Sequence, residues 1–151
     1  MRRFLLLAAS LGLWASLLPA SAQDLVVKIG HAGPLSGSQA NAGRDNERGV
    51  KLAIADLNAQ DFRIGGKRAR FELVSEDDQG DPRTGTQVAQ KMVDTGVRAV
   101  IGHYNSGVSI PASRIYSQED IPMITGASSN PQLTRQGFAS TFRLAANDNV
   151  M

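Results

Sequence analysis

The stretch VRAVIGHYNSGVSIPASRIY, residues 97–116, is read first because its hydropathy changes period in mid-course. Val97 to Ile101 is a short, largely apolar run closed by Gly102, the pattern of a buried strand. His103-Tyr104-Asn105-Ser106-Gly107 is polar and glycine-bounded, as a loop should be. Val108, Ala112, Ile115 and Tyr116 then return at helical spacing. Pro111 is expected in the first turn of that helix, where a missing N–H costs least. The stretch is a strand, a loop and a helix in series.

The same unit recurs on both sides. Leu25, Val26, Val27 and Ile29 predict a strand that enters a Gly/Ser/Pro-rich loop from His31 to Gly43, and Val50, Ala53, Ile54 and Leu57 predict an amphipathic helix within residues 44–58. Arg48, Lys51, Asp56 and Asn58 fall on its polar side. Gly65-Gly66 reads as a turn, and Phe71, Leu73 and Val74 as the next strand. Asp81-Pro82 reads as a helix start, Val88, Ala89, Met92 and Val93 as its buried face, and Gly96 as its stop. Pro122 to Thr125 predicts a fourth strand and Phe142 to Ala145 a fifth. Strands alternating with helices of this length predict an α/β fold, a parallel sheet with helices on both faces.

Ligands of such sheets bind beyond the carboxyl ends of the strands. Three loops fall on that edge: residues 33–43, 102–107 and 126–130. Ser106 stands where hydroxyl and N–H groups converge at a helix N-terminus, which favours an anion. Gly126-Ala127-Ser128-Ser129-Asn130 offers carbonyls and hydroxyls that can accept from an ammonium. One edge therefore suits both ends of a zwitterion. Plain N-capping by Ser106 and Ser129 is the competing explanation.

The N-terminus has Met1-Arg2-Arg3, an apolar run from Phe4 to Leu18, and Pro19-Ala20-Ser21-Ala22, which together predict a secretory signal peptide over residues 1–22, cleaved after Ala22. An uncleaved anchor is the alternative, disfavoured by Pro19 and the small residues after it. The chain has 16 basic and 14 acidic residues, and loss of Arg2 and Arg3 would bring the mature charge to zero, which argues against a nucleic-acid partner. With no cysteine, an exported product would depend on its packed core, without disulfides or zinc thiolates.

Residues Gly33-Pro34-Leu35-Ser36-Gly37, Asp77-Asp78, Asp81-Pro82, Val100-Ile101-Gly102-His103, Pro111-Ala112-Ser113, Ile115-Tyr116 and Met123-Ile124-Thr125 together resemble the periplasmic leucine/isoleucine/valine-binding proteins of ABC transporters. They fall in the family's order and spacing across Leu25 to Arg143. The resemblance implies a two-lobed receptor of the type I periplasmic fold that closes on an amino acid and presents it to a membrane permease. On that pattern Ser106 binds the α-carboxylate, the Ala127 carbonyl and the Ser129 hydroxyl accept from the α-ammonium, and Tyr104 and Asn105 flank the side chain; Ser128 is included with its loop. The family often has an aromatic residue where Ala42 stands, and some relatives pair cysteines at the positions of Gly80 and Asn105. The resemblance makes residues 23–146 an incomplete first ligand-binding lobe and residues 147–151 the start of a crossover into a missing second lobe, with a sheet edge and apolar surface left uncovered. The chain is expected to be a fragment or truncated product.

An enzyme is the rival class. His31 and His103 are the only histidines, no G-x-S-x-G surrounds Ser106, and no thiol nucleophile exists, so no catalytic residues are expected and His103 is expected to pack or hydrogen-bond at a strand end. Glu76, Asp77, Asp78 and Asp81 lack the ligand register of a calcium loop and are assigned to capping and solvated charge. Gly30-His31-Ala32-Gly33 lacks the dinucleotide fingerprint. Neither metal nor cofactor is therefore expected. Receptors for amides, urea or aromatic acids, and sensor ectodomains, remain as alternatives of the same fold, and a periplasmic amino-acid receptor without a stable membrane anchor is the leading expectation.

Overall fold

The computed structural model describes residues 24–150, so the expected leader, residues 1–22, lies outside the described residues. The chain runs β1 (Leu25–Gly33), α1 (Ala40–Ala59), β2 (Arg63–Ile64), β3 (Lys67–Asp77), α2 (Pro82–Thr95), β4 (Ala99–Gly102), α3 (Ser106–Gln118), β5 (Met123–Thr125), α4 (Gln132–Arg135) and β6 (Thr141–Arg143). The strands form one six-stranded sheet in the order β2-β3-β1-β4-β5-β6. Every pairing is parallel except β2 with β3. This is the expected α/β architecture, a parallel sheet with helices on both faces, with an antiparallel margin added.

That margin is a hairpin. Gly65 and Gly66 have φ of 58° and 81°, the left-handed pair that a two-residue hairpin turn requires, so the expected turn is present. It also pairs Arg63 with Arg68 and extends β3 four residues ahead of the apolar run that signalled it. Arg63, Ile64, Lys67 and Arg68 are all exposed, which is why hydropathy gave no strand signal there.

Alternation along the strands sorts side chains between two unequal faces. Val100 and Met123 turn to one face, where they pack with Met92 of α2, Ala112 and Tyr116 of α3, and Leu133 of α4, all fully buried. α2 begins with Asp81, whose carboxylate accepts from the Thr84 N–H at 2.7 Å, and ends at Gly96 in the left-handed conformation, as expected for both.

On the other face α1 covers β1 and β3, its C-terminal end clamped by paired hydrogen bonds between Asn58 and the Phe71 backbone, each 2.8 Å. Asn58 therefore grips the sheet instead of facing solvent with Asp56. Beside α1 runs an open apolar groove of about 500 Å³ that includes Ile29, Ile54, Leu57, Ile101, Ile124 and Leu144 in its lining. Leu144 is 79% exposed, so nothing among the described residues seals the groove there. His31 also lines it, almost wholly buried, its Nδ1 3.2 Å from the Ser75 hydroxyl, and burial lowers its pKa.

Two helix starts differ from expectation. α1 begins at Ala40, shortening the first loop, with the Ala40 N–H donating to the Gly37 carbonyl and Gly43 packed against Pro34. A Cβ at Gly43 would overlap the Pro34 carbonyl oxygen, so this close approach needs glycine. α3 begins at Ser106, which puts Pro111 in the second turn and corrects its expected first-turn position. The N–H it lacks would have bonded the carbonyl of Gly107, an exposed residue that water can serve.

Candidate functional site

The loops after β4 and β5 meet at the carboxyl edge of the sheet. Parallel pairing of Val100 with Met123 and Ile101 with Ile124 brings both strands to that edge together, so the loops leave side by side. Gly102 carries the first away at φ 140°, with its α-carbon so close to the Ala32 carbonyl that a side chain would collide with it. The Asn130 N–H then donates to the Ser106 hydroxyl at 3.2 Å and joins the two loops across the rim. Ser106 and the Ser129 loop are thus neighbours.

Ser106 is the first residue of α3, Asn105 occupies the cap position, and no side chain caps this helix. The capping explanation for Ser106 is therefore not what the geometry holds. Among the described residues the N–H groups of Ser106 and Gly107 have no hydrogen-bond partner, leaving two donors and the positive end of a 13-residue helix at the rim. Ser129 does not cap α4 either, since Pro131 stands at that cap. Among the described residues neither the Ser129 hydroxyl nor the Ala127 carbonyl has a hydrogen-bond partner, so both present acceptor atoms. The Ser129 carbonyl, by contrast, accepts from the Asp148 N–H at 3.0 Å.

Ser128 is a correction. It was expected at the rim with its loop, but its side chain turns inward and the residue is 1% exposed. Its hydroxyl lies 3.2 Å from the carbonyls of both His103 and Tyr104 and also meets the Ser109 hydroxyl. The Ser128 N–H is held by the Thr125 hydroxyl at 3.1 Å. Sequence spacing could not separate Ser128 from Ser129, because alternate residues of an irregular loop need not alternate between surface and interior.

The Asn105 side chain is engaged within the protein. Its amide Nδ2 donates to Gln39 Oε1 at 2.9 Å, and its Oδ1 is buried against Gly80 without a partner. It braces the loop against the start of α1. Tyr104 is half-buried and borders the upper end of the apolar groove together with Gly126 and Ala127.

The acidic cluster divides by role. Asp81 caps and Glu76 pairs with Lys91 at 2.7 Å, in line with capping and solvated charge. Asp77 instead accepts from the N–H groups of Leu35 and Gln79, each at 2.8 Å. Burial pushes its pKa up, but hydrogen bonds from Ser36, Gln79 and Leu35 outweigh this and hold it below the ordinary value. Asp78 is fully buried on His103, which corrects its assignment to the surface. Its neighbours in sequence gave no signal of burial.

The rim therefore gathers donors at Ser106 and Gly107 and acceptors at Ala127 and Ser129, with no Asp, Glu, Lys or Arg in residues 103–107 or 126–130. Neutral dipoles of opposite sense can bind a guest bearing both charges without burying an unpaired ion of the protein's own.

Residues 26–150 match the family model described as periplasmic binding protein. The chain belongs to that family. It is 43% identical over 127 residues to the Leu/Ile/Val-binding protein homolog 2 of Brucella abortus, covering 83% of this chain and 33% of that one. Identity to the Leu/Ile/Val-binding protein of Escherichia coli is 38% over 123 residues, covering 82% and 33%. Among solved structures, the branched-chain amino acid transporter substrate-binding protein LivJ of Streptococcus pneumoniae, in complex with isoleucine, superposes with a TM-score of 0.74 at 28% identity, covering 82% of this chain and 35% of that one. An ABC transporter substrate-binding protein of Desulfitobacterium hafniense, in complex with leucine, gives 0.70 at 33% identity, covering 83% and 36%. The chain thus spans about a third of the length of these relatives. At the family level they are substrate-binding proteins and not enzymes.

Proposed function

We propose that this chain forms the first lobe of the periplasmic solute-binding component of an ABC importer, and that the full-length protein binds a free branched-chain amino acid and delivers it to a membrane permease. The observation that carries this reading is the hydrogen bond from the Asn130 N–H to the Ser106 hydroxyl, which draws donor and acceptor loops to one rim. In this reading the Ser106 hydroxyl and the N–H groups at the start of α3 hold the α-carboxylate, while the Ala127 carbonyl and the Ser129 hydroxyl accept from the α-ammonium. Tyr104 faces the aliphatic side chain. Ser128 and Asn105 act from behind, fixing loop shape. A second lobe supplies the opposing wall, and the leader over residues 1–22 directs export, leaving Gln23 as the first residue of the periplasmic form. The names of the relatives and the isoleucine and leucine of the solved structures support the ligand class.

Calorimetry on the full-length protein tests the reading with leucine, isoleucine and valine beside two blocked analogues, N-acetylleucine and leucinamide. The free amino acids should bind, and each analogue, having lost one charge, should bind at least about tenfold more weakly, since charge-assisted hydrogen bonds contribute roughly 1.5–3 kcal/mol. Binding of urea, an amide or an aromatic acid with no affinity for any free amino acid would overturn it.

A further inference from the structure

Behind the rim lies a buried hydrogen-bonded chain that the ligand contacts do not use. His103 is fully buried, and both ring nitrogens are engaged: Nδ1 lies 2.7 Å from Asp78 Oδ2, and Nε2 lies 3.1 Å from the Tyr116 hydroxyl. Asp78 and Tyr116 are themselves fully buried. The other oxygen of Asp78 accepts from the Gly80 N–H at 2.9 Å, so the carboxylate receives on both sides. With Nδ1–H turned to the carboxylate of Asp78, a neutral ring leaves Nε2 to accept from the Tyr116 hydroxyl. Burial, and then the charge of Asp78, push the Tyr116 phenol far above its usual pKa, so it keeps the proton this arrangement needs.

The chain joins separate parts of the lobe. Asp78 sits where β3 runs into α2 and donates its own N–H to Gly33 at the end of β1 at 3.0 Å. Tyr116 belongs to the core of α3. Between them, His103 immediately precedes Tyr104, Asn105 and Ser106. Its carbonyl has the hydroxyls of Thr125, Ser109 and Ser128 within 2.8, 3.1 and 3.2 Å, so the backbone of His103 also holds the loop after β5. One residue thereby connects the interior to both halves of the rim.

We propose that Asp78, His103 and Tyr116 are positioning residues, a relay that sets the placement of the Ser106 and Ala127–Ser129 loops for the ligand without touching it. The ligand part of this proposal rests on the function proposed above; the part concerning the loops does not. Asp78 meets one ring nitrogen and Tyr116 the other, so the imidazole has both nitrogens satisfied in the orientation it holds. Loss of either end leaves a buried nitrogen or oxygen unpaired and frees the ring, and the peptide attached to it, to move.

The test uses Asp78→Asn and Tyr116→Phe in the full-length protein, at a temperature where each variant is fully folded by circular dichroism. Leucine affinity is measured by calorimetry. Ligand-free hydrogen exchange is followed at Val108 and Ser109, whose N–H groups both donate to the Asn105 carbonyl, and at Ala69, which donates to Phe62 and serves as a distant reference. Asp78→Asn should weaken leucine binding at least tenfold and accelerate exchange at Val108 and Ser109 at least tenfold, leaving Ala69 unchanged; Tyr116→Phe should move both readouts the same way by a smaller factor. A lower melting temperature with wild-type affinity and wild-type exchange in both variants would overturn the relay. So would a change in only one of the two readouts when the wild type binds leucine. If the wild type binds no free amino acid, the proposed function fails by itself, and exchange at Val108 and Ser109 alone judges the relay: acceleration upholds it and wild-type exchange overturns it.

Discussion

Ser106 and Ser128 lie in adjacent loops, yet their hydroxyls have opposite surroundings. Ser106 is half-buried at the rim and accepts a single hydrogen bond from Asn130, while Ser128 is enclosed among carbonyls and another hydroxyl. On the proposed function, removing the first should weaken leucine binding in the full-length protein by about 1–3 kcal/mol with little change in melting temperature. Ser128→Ala should instead cost roughly 1–3 kcal/mol of folding stability, since it leaves buried carbonyls short of a donor. Calorimetry and denaturant unfolding on the two variants check the contrast. Asp77 yields a prediction in pH. Its folded pKa lies below the ordinary carboxylate value of about 3.9, so its stabilising contribution is complete above that value and fades as pH falls through the depressed one. Asp77→Asn should therefore lower the melting temperature at pH 7, and the gap from wild type should close at strongly acidic pH, as read by thermal unfolding in a pH series.

α2 was the element most fully legible in the sequence, because each of its signals has a local cause: Asp81 to accept the free N–H groups, Pro82 to begin the helix, Gly96 to leave it with φ at 77°. Gly96→Ala should cost about 1 kcal/mol, the strain of a side chain in the left-handed region, although open space surrounds that Cβ; chemical denaturation reads it directly. α1 and α3 stand where periodicity puts them, but each begins earlier, α1 by the four residues 40–43 and α3 by Ser106 and Gly107. In α1 the start is packed through Gly43 on Pro34, a backbone contact between a glycine and a proline that apolar periodicity does not register. In α3 the proline suggested a boundary that the exposed Gly107 carbonyl did not require. The rim itself was legible as the meeting of two loops because parallel strands end together. The inward turn of Ser128, the Gln39 brace on Asn105 and the burial of Asp78 were not, since each depends on side-chain partners distant in the chain.

Across the whole lobe the two sheet faces are unequally covered. α2, α3 and α4 close one, whereas the groove beside α1 leaves Ile101, Ile124 and Leu144 along an open apolar wall. Residues 23–151 prepared alone should therefore raise the fluorescence of an apolar dye such as anilinonaphthalene sulfonate at neutral pH while fully folded, and on the proposed reading the full-length protein should do so far less. On the proposed reading the lobe alone also has only one wall of the cleft, and titration with leucine should give no dissociation constant tighter than the millimolar range. The margins of the sheet are as unequal as its faces. At β2 the outermost strand has two residues in a hairpin carrying Arg63, Lys67 and Arg68, a short and cationic border that offers a poor template for another backbone. At β6 three residues, Thr141–Arg143, end the row, and the cation there, Arg143, is turned onto the Asn130 carbonyl. Among the described residues the two margins thus differ in how they would receive another strand: the hairpin presents three cations, whereas β6 presents the exposed ring of Phe142 and is the more permissive seam.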